Sequence, residues 1–180
     1  MKKLSLFLSL CLLWSGFAAL PAQASDSKSR MIAAAMLGDA EAGRAAEESD
    51  GPRFDELYLL SKALFAVTGS RTYTEEWRLC VGEVILNRVA SPEFPDTLEE
   101  VILADERYCG KVDGYFDALR PDAACAEIAW RLLCGERVMD DRRVVYQDEH
   151  FYDGGVCKAL YDYRAGDIFF CYSTNPKLYR

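Results

Sequence analysis

Leu57, Leu60, Leu64 and Val67 recur at i, i+3, i+7 and i+10, the spacing of one face of an α-helix. An apolar stripe of that kind needs cover from other elements, so the chain must pack helices around a shared core. Gly69 follows the stripe as a helix-ending residue. A second helix is predicted from Glu75 to Val89, with Trp77, Val81, Val84, Ile85 and Arg88 along one face and acids in its first turn. Ser91-Pro92-Glu93-Phe94-Pro95 breaks it, and Thr97-Leu98-Glu99-Glu100 reads as a capping box opening a short helix through Leu103. Asp105 to Arg120, rich in Gly, Asp and aromatics, reads as an ordered loop, and Pro121 suits the first turn of a further helix that Gly135 ends. Then the texture changes. Arg143 to Tyr146 and Asp167 to Tyr172 read as short strands, set apart by Gly154-Gly155 and Gly166. The expected class is α+β, mainly α, with a small C-terminal β element.

Three segments are expected along the 180 residues. Residues 1–24 carry Lys2 and Lys3, an apolar run from Leu4 to Leu20 and the small-x-small end Ala22-Gln23-Ala24, the anatomy of a secretory signal peptide. The run is too short and wrongly flanked for a stable membrane insertion. Residues 25–52 are rich in Ala, Glu and Ser. Met31 to Ala42 is predicted helical, but five acids, two glycines and a proline between Asp39 and Pro52 favour a frayed helix and linker. Residues 53–180 form the domain proper.

The leader removes two lysines, leaving 19 basic against 29 acidic groups, a net charge of −10. That balance argues against a nucleic-acid partner, since phosphates require a basic footprint. It argues equally against a polybasic membrane anchor. Six cysteines remain after the leader: Cys80, Cys109, Cys125, Cys134, Cys157 and Cys171. An even count in an exported chain points to disulfides, with buried free thiols as the alternative. Cys125 and Cys134, nine residues apart on one helix, would lie roughly 13 Å apart along its axis, too far to bridge. There is no CxxC and His150 is the single histidine, so neither a metal site nor a cofactor is expected. The same count speaks against a histidine-based triad. Carboxylates are abundant, and carboxylic acids with raised pKa cleave glycosidic bonds. Counting them does not locate a site.

Residues 80–98, with Val84-Ile85-Leu86-Asn87-Arg88-Val89 followed by Ser91-Pro92-Glu93-Phe94-Pro95-Asp96-Thr97, resemble the signature of the SleB/CwlJ-type cell-wall hydrolases. Weaker similarity covers Leu59 to Ala66, Tyr108-Cys109, Asp113-Gly114 and Asp167 to Phe170. The resemblance implies a lysozyme-like fold and cleavage of peptidoglycan glycan strands, usually as a lytic transglycosylase with one glutamic acid as general acid/base. It also implies extracytoplasmic action in a bacterium.

The chain departs from the pattern at the decisive place. The family's glutamate lies in an A-E-A-x-G-like segment, and the matching residues here are Ala66-Val67-Thr68-Gly69. Arg107 stands where the family's loop carries a glutamine. Two substitute acids are candidates for catalysis. Glu41 lies in Ala40-Glu41-Ala42-Gly43, which repeats the family's letters at a displaced position. Glu76 matches a second family glutamate, although a helix N-terminus lowers a carboxylate's pKa. Glu83 is read as facing solvent. Asn87, Arg88, Arg107, Tyr108 and Tyr115 are the candidate substrate-groove residues, with helix capping as the competing role for Asn87 and Arg88 and core packing for the tyrosines.

Whether the chain is an enzyme is left open at this level. It reads as a secreted, peptidoglycan-directed hydrolase working through a displaced carboxylate, or as an inactive relative that binds glycan or a protein. A disulfide-stabilised interaction domain is the third possibility. The scaffold alone does not separate them.

Overall fold

The structure, a computed structural model, describes residues 20–69, 73–139, 141–163 and 166–179, with side chains from residue 25 onward. Residues 1–19 of the expected leader lie outside them. Eight helices are found among the described residues: α1 (Leu20–Leu37), α2 (Ala40–Ala45), α3 (Phe54–Thr68), α4 (Glu75–Val89), α5 (Leu98–Leu103), α6 (Glu106–Cys109), α7 (Tyr115–Ala118) and α8 (Ala123–Leu133). Strands β1 (Val144–Asp148), β2 (Val156–Asp162) and β3 (Gly166–Tyr172) follow, then a 3₁₀ turn at Pro176–Tyr179. The class is α+β and mainly α. No helix among the described residues is long and apolar enough to cross a membrane.

Helix α4 is the axis of the molecule. The Thr74 side chain caps it by accepting from Trp77 N at 3.2 Å. It then touches α3, α5, α8 and β1, so it is buried on nearly every side rather than along one stripe. Gly82 makes the close approach possible: a Cβ there would run into Leu132 Cδ1 of α8 and lie 3.3 Å from Leu64 Cδ2 of α3. Leu57, Leu60 and Leu64 of α3 are fully buried against this axis, each contributing about 1.5–3 kcal/mol of apolar burial. Gly69 closes α3 with its N–H on Phe65 O at 2.7 Å.

The sheet is antiparallel in the order β1-β3-β2. Its β1 edge is fastened to the C-terminal end of α4 and its β2 edge reaches the N-terminal end through Lys158. Strand β2 escapes the sequence reading because Lys158 and Asp162 interrupt its apolar alternation and the strand is exposed or half-buried throughout.

Four further expectations are corrected. The stretch 25–52 is not a loosely attached linker. Met31, Ala34 and Ala35 join the core, Ser27 Oγ donates to Ala46 O, and Lys28 pairs with Glu127 of α8 at 2.5 Å. Small alanines let α1 lie close to its neighbours without a large apolar stripe to announce it. The loop expected between Asp105 and Arg120 contains two single-turn helices, α6 capped by Asp105 and α7. Pro121 lies outside α8, which Asp122 caps by accepting from Cys125 N at 2.8 Å. The six cysteines of the described residues are free thiols, so the expected disulfides are replaced by packing.

Candidate functional site

The position that the sequence resemblance assigns to the proton donor lies at the end of α3. Val67 is half-buried and packed on the core. Beside it, Thr68 Oγ1 donates back to Leu64 O at 2.8 Å and lies 3.7 Å from Cys125 Sγ of α8. An aliphatic side chain neither gives nor accepts a proton, so this point of the fold has packing and no acid–base chemistry.

The two substitute acids are elsewhere. Glu76 stands in the first turn of α4, about half exposed, with Lys158 Nζ of β2 at 2.5 Å. That hydrogen bond raises the Lys158 amine above its ordinary pKa. A general acid needs an enclosed, dry setting, and the Glu76 carboxylate is about half exposed to solvent. Glu41 is exposed on the short helix α2.

Glu83 reverses the sequence reading. It is 1% exposed, and its Oε2 accepts from Val138 N at 2.7 Å and Met139 N at 3.1 Å. The carboxylate therefore anchors the connection from α8 to β1. Asn87 and Arg88 are likewise fastened inside the molecule rather than set along an open wall. Asn87 Nδ2 donates to Val144 O at 3.0 Å, and Arg88 Nε donates to Val145 O at 2.7 Å. Both bonds hold β1 onto the end of α4. The helix-capping role anticipated for this pair is thus replaced by a clamp on the strand.

Around Arg88 lies a polar cluster that joins two of the candidate groove residues, Arg88 and Arg107, to Asp105 and Asp148. Arg88 Nη1 donates to Asp105 Oδ2 at 2.8 Å, and Arg107 Nη2 donates to the same oxygen at 2.9 Å. Arg107 continues to Asp148 Oδ2 at 3.2 Å and to Gln147 O. Burial pushes Asp105 up, but hydrogen bonds from Arg107 and Arg88 outweigh it and hold the carboxyl down at about 2. At Glu93 and Asp148, too, burial acts upward and hydrogen bonds win, leaving both below the usual carboxylate range. Phe94, Tyr146 and Tyr152 line the same region. Tyr146 stacks on Tyr152 at 4.5 Å, and the Arg88 guanidinium lies 4.9 Å from the Phe94 ring centre. Phe94 follows α4 closely, but Tyr146 and Tyr152 come from β1 and the turn after it, far along the chain from α4, so no local spacing reveals the grouping.

Of the two tyrosines proposed for sugar stacking, Tyr108 is 0% exposed, its hydroxyl has no partner, and burial pushes its pKa up to about 12. It is a core residue under Arg88, 5.3 Å from the guanidinium, and presents no face to a ligand. Tyr115 is 42% exposed, its ring lying against Gly110. Phe116 is buried under Lys62 Nζ at 4.3 Å. Among the described residues no group of three or more His, Cys, Asp or Glu is placed to hold a metal ion.

Comparison with known proteins bears on the same elements. The family model described as Cell Wall Hydrolase matches residues 74–161, from the cap of α4 into β2. The match begins past Val67 and α3. No curated protein and no solved structure matches the chain. The clamp of Asn87 and Arg88 on β1 and the connection after α4 are the three-dimensional form of the matched segment, and through that segment, residues 74–161, the chain is similar to the SleB-type cell-wall hydrolases.

Proposed function

We propose that this chain is exported behind its leader and engages the peptidoglycan glycan strand without cleaving it, as a catalytically degenerate member of its family on a lysozyme-like scaffold. One observation carries the reading: the place of the family's general acid holds Val67, packed on the core. The substitutes do not repair the loss, since Glu76 is tied to Lys158 and Glu41 is exposed away from any enclosing wall. The match that begins after α3 supports the same view, because the recognisable part of the domain omits the segment that would carry the acid. Of the candidate groove residues, Tyr115 at 42% exposure stays open to the wall polymer, while the buried clamp of α4 on β1 only holds the scaffold.

The test uses purified protein and isolated insoluble peptidoglycan. The protein is expected in the pellet, with no soluble muropeptides in the supernatant. Released muropeptides would overturn the reading in favour of a hydrolase using a displaced carboxylate. A protein left in the supernatant would overturn it in favour of an interaction domain without glycan contact.

A further inference from the structure

An open cavity, remote from Val67 in the chain, has a charge opposite to that of the molecule. It encloses about 490 Å³ between the start of β1 and the 3₁₀ turn, lined by Asp141, Arg142, Arg143, Pro176, Lys177 and Tyr179. Three cations face one carboxylate, in a chain with 29 acids against 21 bases. The carboxylate is already engaged. Arg143 Nε donates to Asp141 Oδ1 at 3.0 Å and its Nη2 to Oδ2 at 2.5 Å. Hydrogen bonds from Arg143 hold the Asp141 carboxyl below its usual range. Arg142 and Lys177 are exposed and make no side-chain hydrogen bond or ion pair among the described residues, although the charge of Arg142 also favours the ionised Asp141.

The wall of this cavity is fixed in place. Tyr179 OH donates to Glu93 Oε1 at 2.8 Å and lies 2.6 Å from Ser91 Oγ. Asn175 Nδ2 donates to Glu93 Oε2 at 2.8 Å, and Ser173 Oγ also donates to Glu93. One carboxylate from the connection after α4 thus pins the segment that carries Lys177 opposite Arg142. Two exposed cations lining one cavity are suited to a planar or tetrahedral anion, which takes charge-assisted hydrogen bonds from both.

We propose that this cavity binds an anionic group of the cell wall, a carboxylate or a phosphate ester, and so gives the protein a second point of attachment. The cell-wall source of the ligand rests on the function proposed above, while anion binding does not. Calorimetry on the purified protein would use three probes: a muropeptide with free stem-peptide carboxylates, the same muropeptide amidated, and glycerol phosphate. At least one anionic probe is expected to bind, and raising the salt should weaken it. Replacing both cations, R142Q/K177Q, should weaken it about tenfold with a melting temperature close to the parent's, since neither side chain makes a hydrogen bond or ion pair among the described residues. Preference for the free-carboxylate muropeptide assigns the stem peptide, and preference for glycerol phosphate assigns a phosphate polymer. The proposal fails if no anionic probe binds, if salt has no effect, or if the double variant binds as well as the parent. These probes are soluble, so their failure is distinct from failure to sediment with insoluble wall.

Discussion

Arg88 and Asp105 join the motif helix to the turn after α5 through one bond of 2.8 Å, and the guanidinium is almost fully buried. Asp105 also receives Arg107, which reaches on to Asp148, so two carboxylates balance two cations where α4, α6 and β1 meet. Burial opposes its ionisation and the two arginines overcome it, giving a pKa of about 2. The folded value lies below that of an unfolded aspartate. The stabilisation is therefore complete above about pH 4 and fades as pH falls towards 2. Asp105→Asn should cost about 1–2 kcal/mol at pH 7. In urea unfolding, the gap between parent and variant should narrow steadily from pH 4 to pH 2; a gap independent of pH would show that Asp105 is not the linked group.

Gly82 sits where α4 meets both α8 and α3. Alanine normally favours a helix over glycine by about 1 kcal/mol. Here the added methyl would meet Leu132 Cδ1, so Gly82→Ala should destabilise, by about 1–3 kcal/mol of overpacking. A higher urea midpoint in the variant would mean that the two helices separate without cost.

Glu83 and Tyr108 mark the boundary of what the sequence reveals. The bounds of α4 follow from its acids, its apolar spacing and the Pro-containing break after it. The caps of α5 and the closing glycine of α3 are equally local signals. Burial on all sides is not local. A periodicity argument assigns Glu83 to solvent because it lies off the Trp77, Val81 and Val84 face, whereas the backbone N–H groups that satisfy it come from residues 138 and 139. Tyr108 was plausible as a stacking residue for the same reason. Its coverage by Arg88 depends on how α6 packs against α3 and α5, which no spacing within α6 encodes. The absence of a glutamate at Val67, by contrast, is legible from the sequence alone.

The role assigned to Glu83 has its own consequence. Glu83→Ala would leave the N–H groups of Val138 and Met139 without their acceptor and open a hollow beside α4. The expected loss is about 2–4 kcal/mol. Amide exchange should speed up at residues 138 and 139 before the rest of the molecule. Uniformly faster exchange across α4 and β1 would instead point to global loosening.

Glu76→Gln and Glu41→Gln test the substitute acids. Because Glu76 is about half exposed in its pair with Lys158, its contribution to stability is about 0–1 kcal/mol. Both variants should retain the parent's stability and sediment with insoluble peptidoglycan as the parent does. If the parent shows any muropeptide release and either substitution abolishes it, that residue is the working acid.

The six thiols differ enough in setting to give an ordered labelling pattern. Burial pushes the pKa of Cys80 and of Cys125 up to about 12, and both side chains are inaccessible. Cys134 is exposed, with burial raising its pKa less decisively. Thiolate is the reactive form, so accessibility and pKa act in the same direction at each of these sites. Iodoacetamide on the folded protein should modify Cys134 first and leave Cys80 and Cys125 untouched until denaturant is added. Since the thiols are unbridged, a reducing agent should leave the melting temperature unchanged. A melting temperature that falls on reduction would require a disulfide, and mass spectrometry of the unreduced peptides would identify the pair that replaces these free thiols.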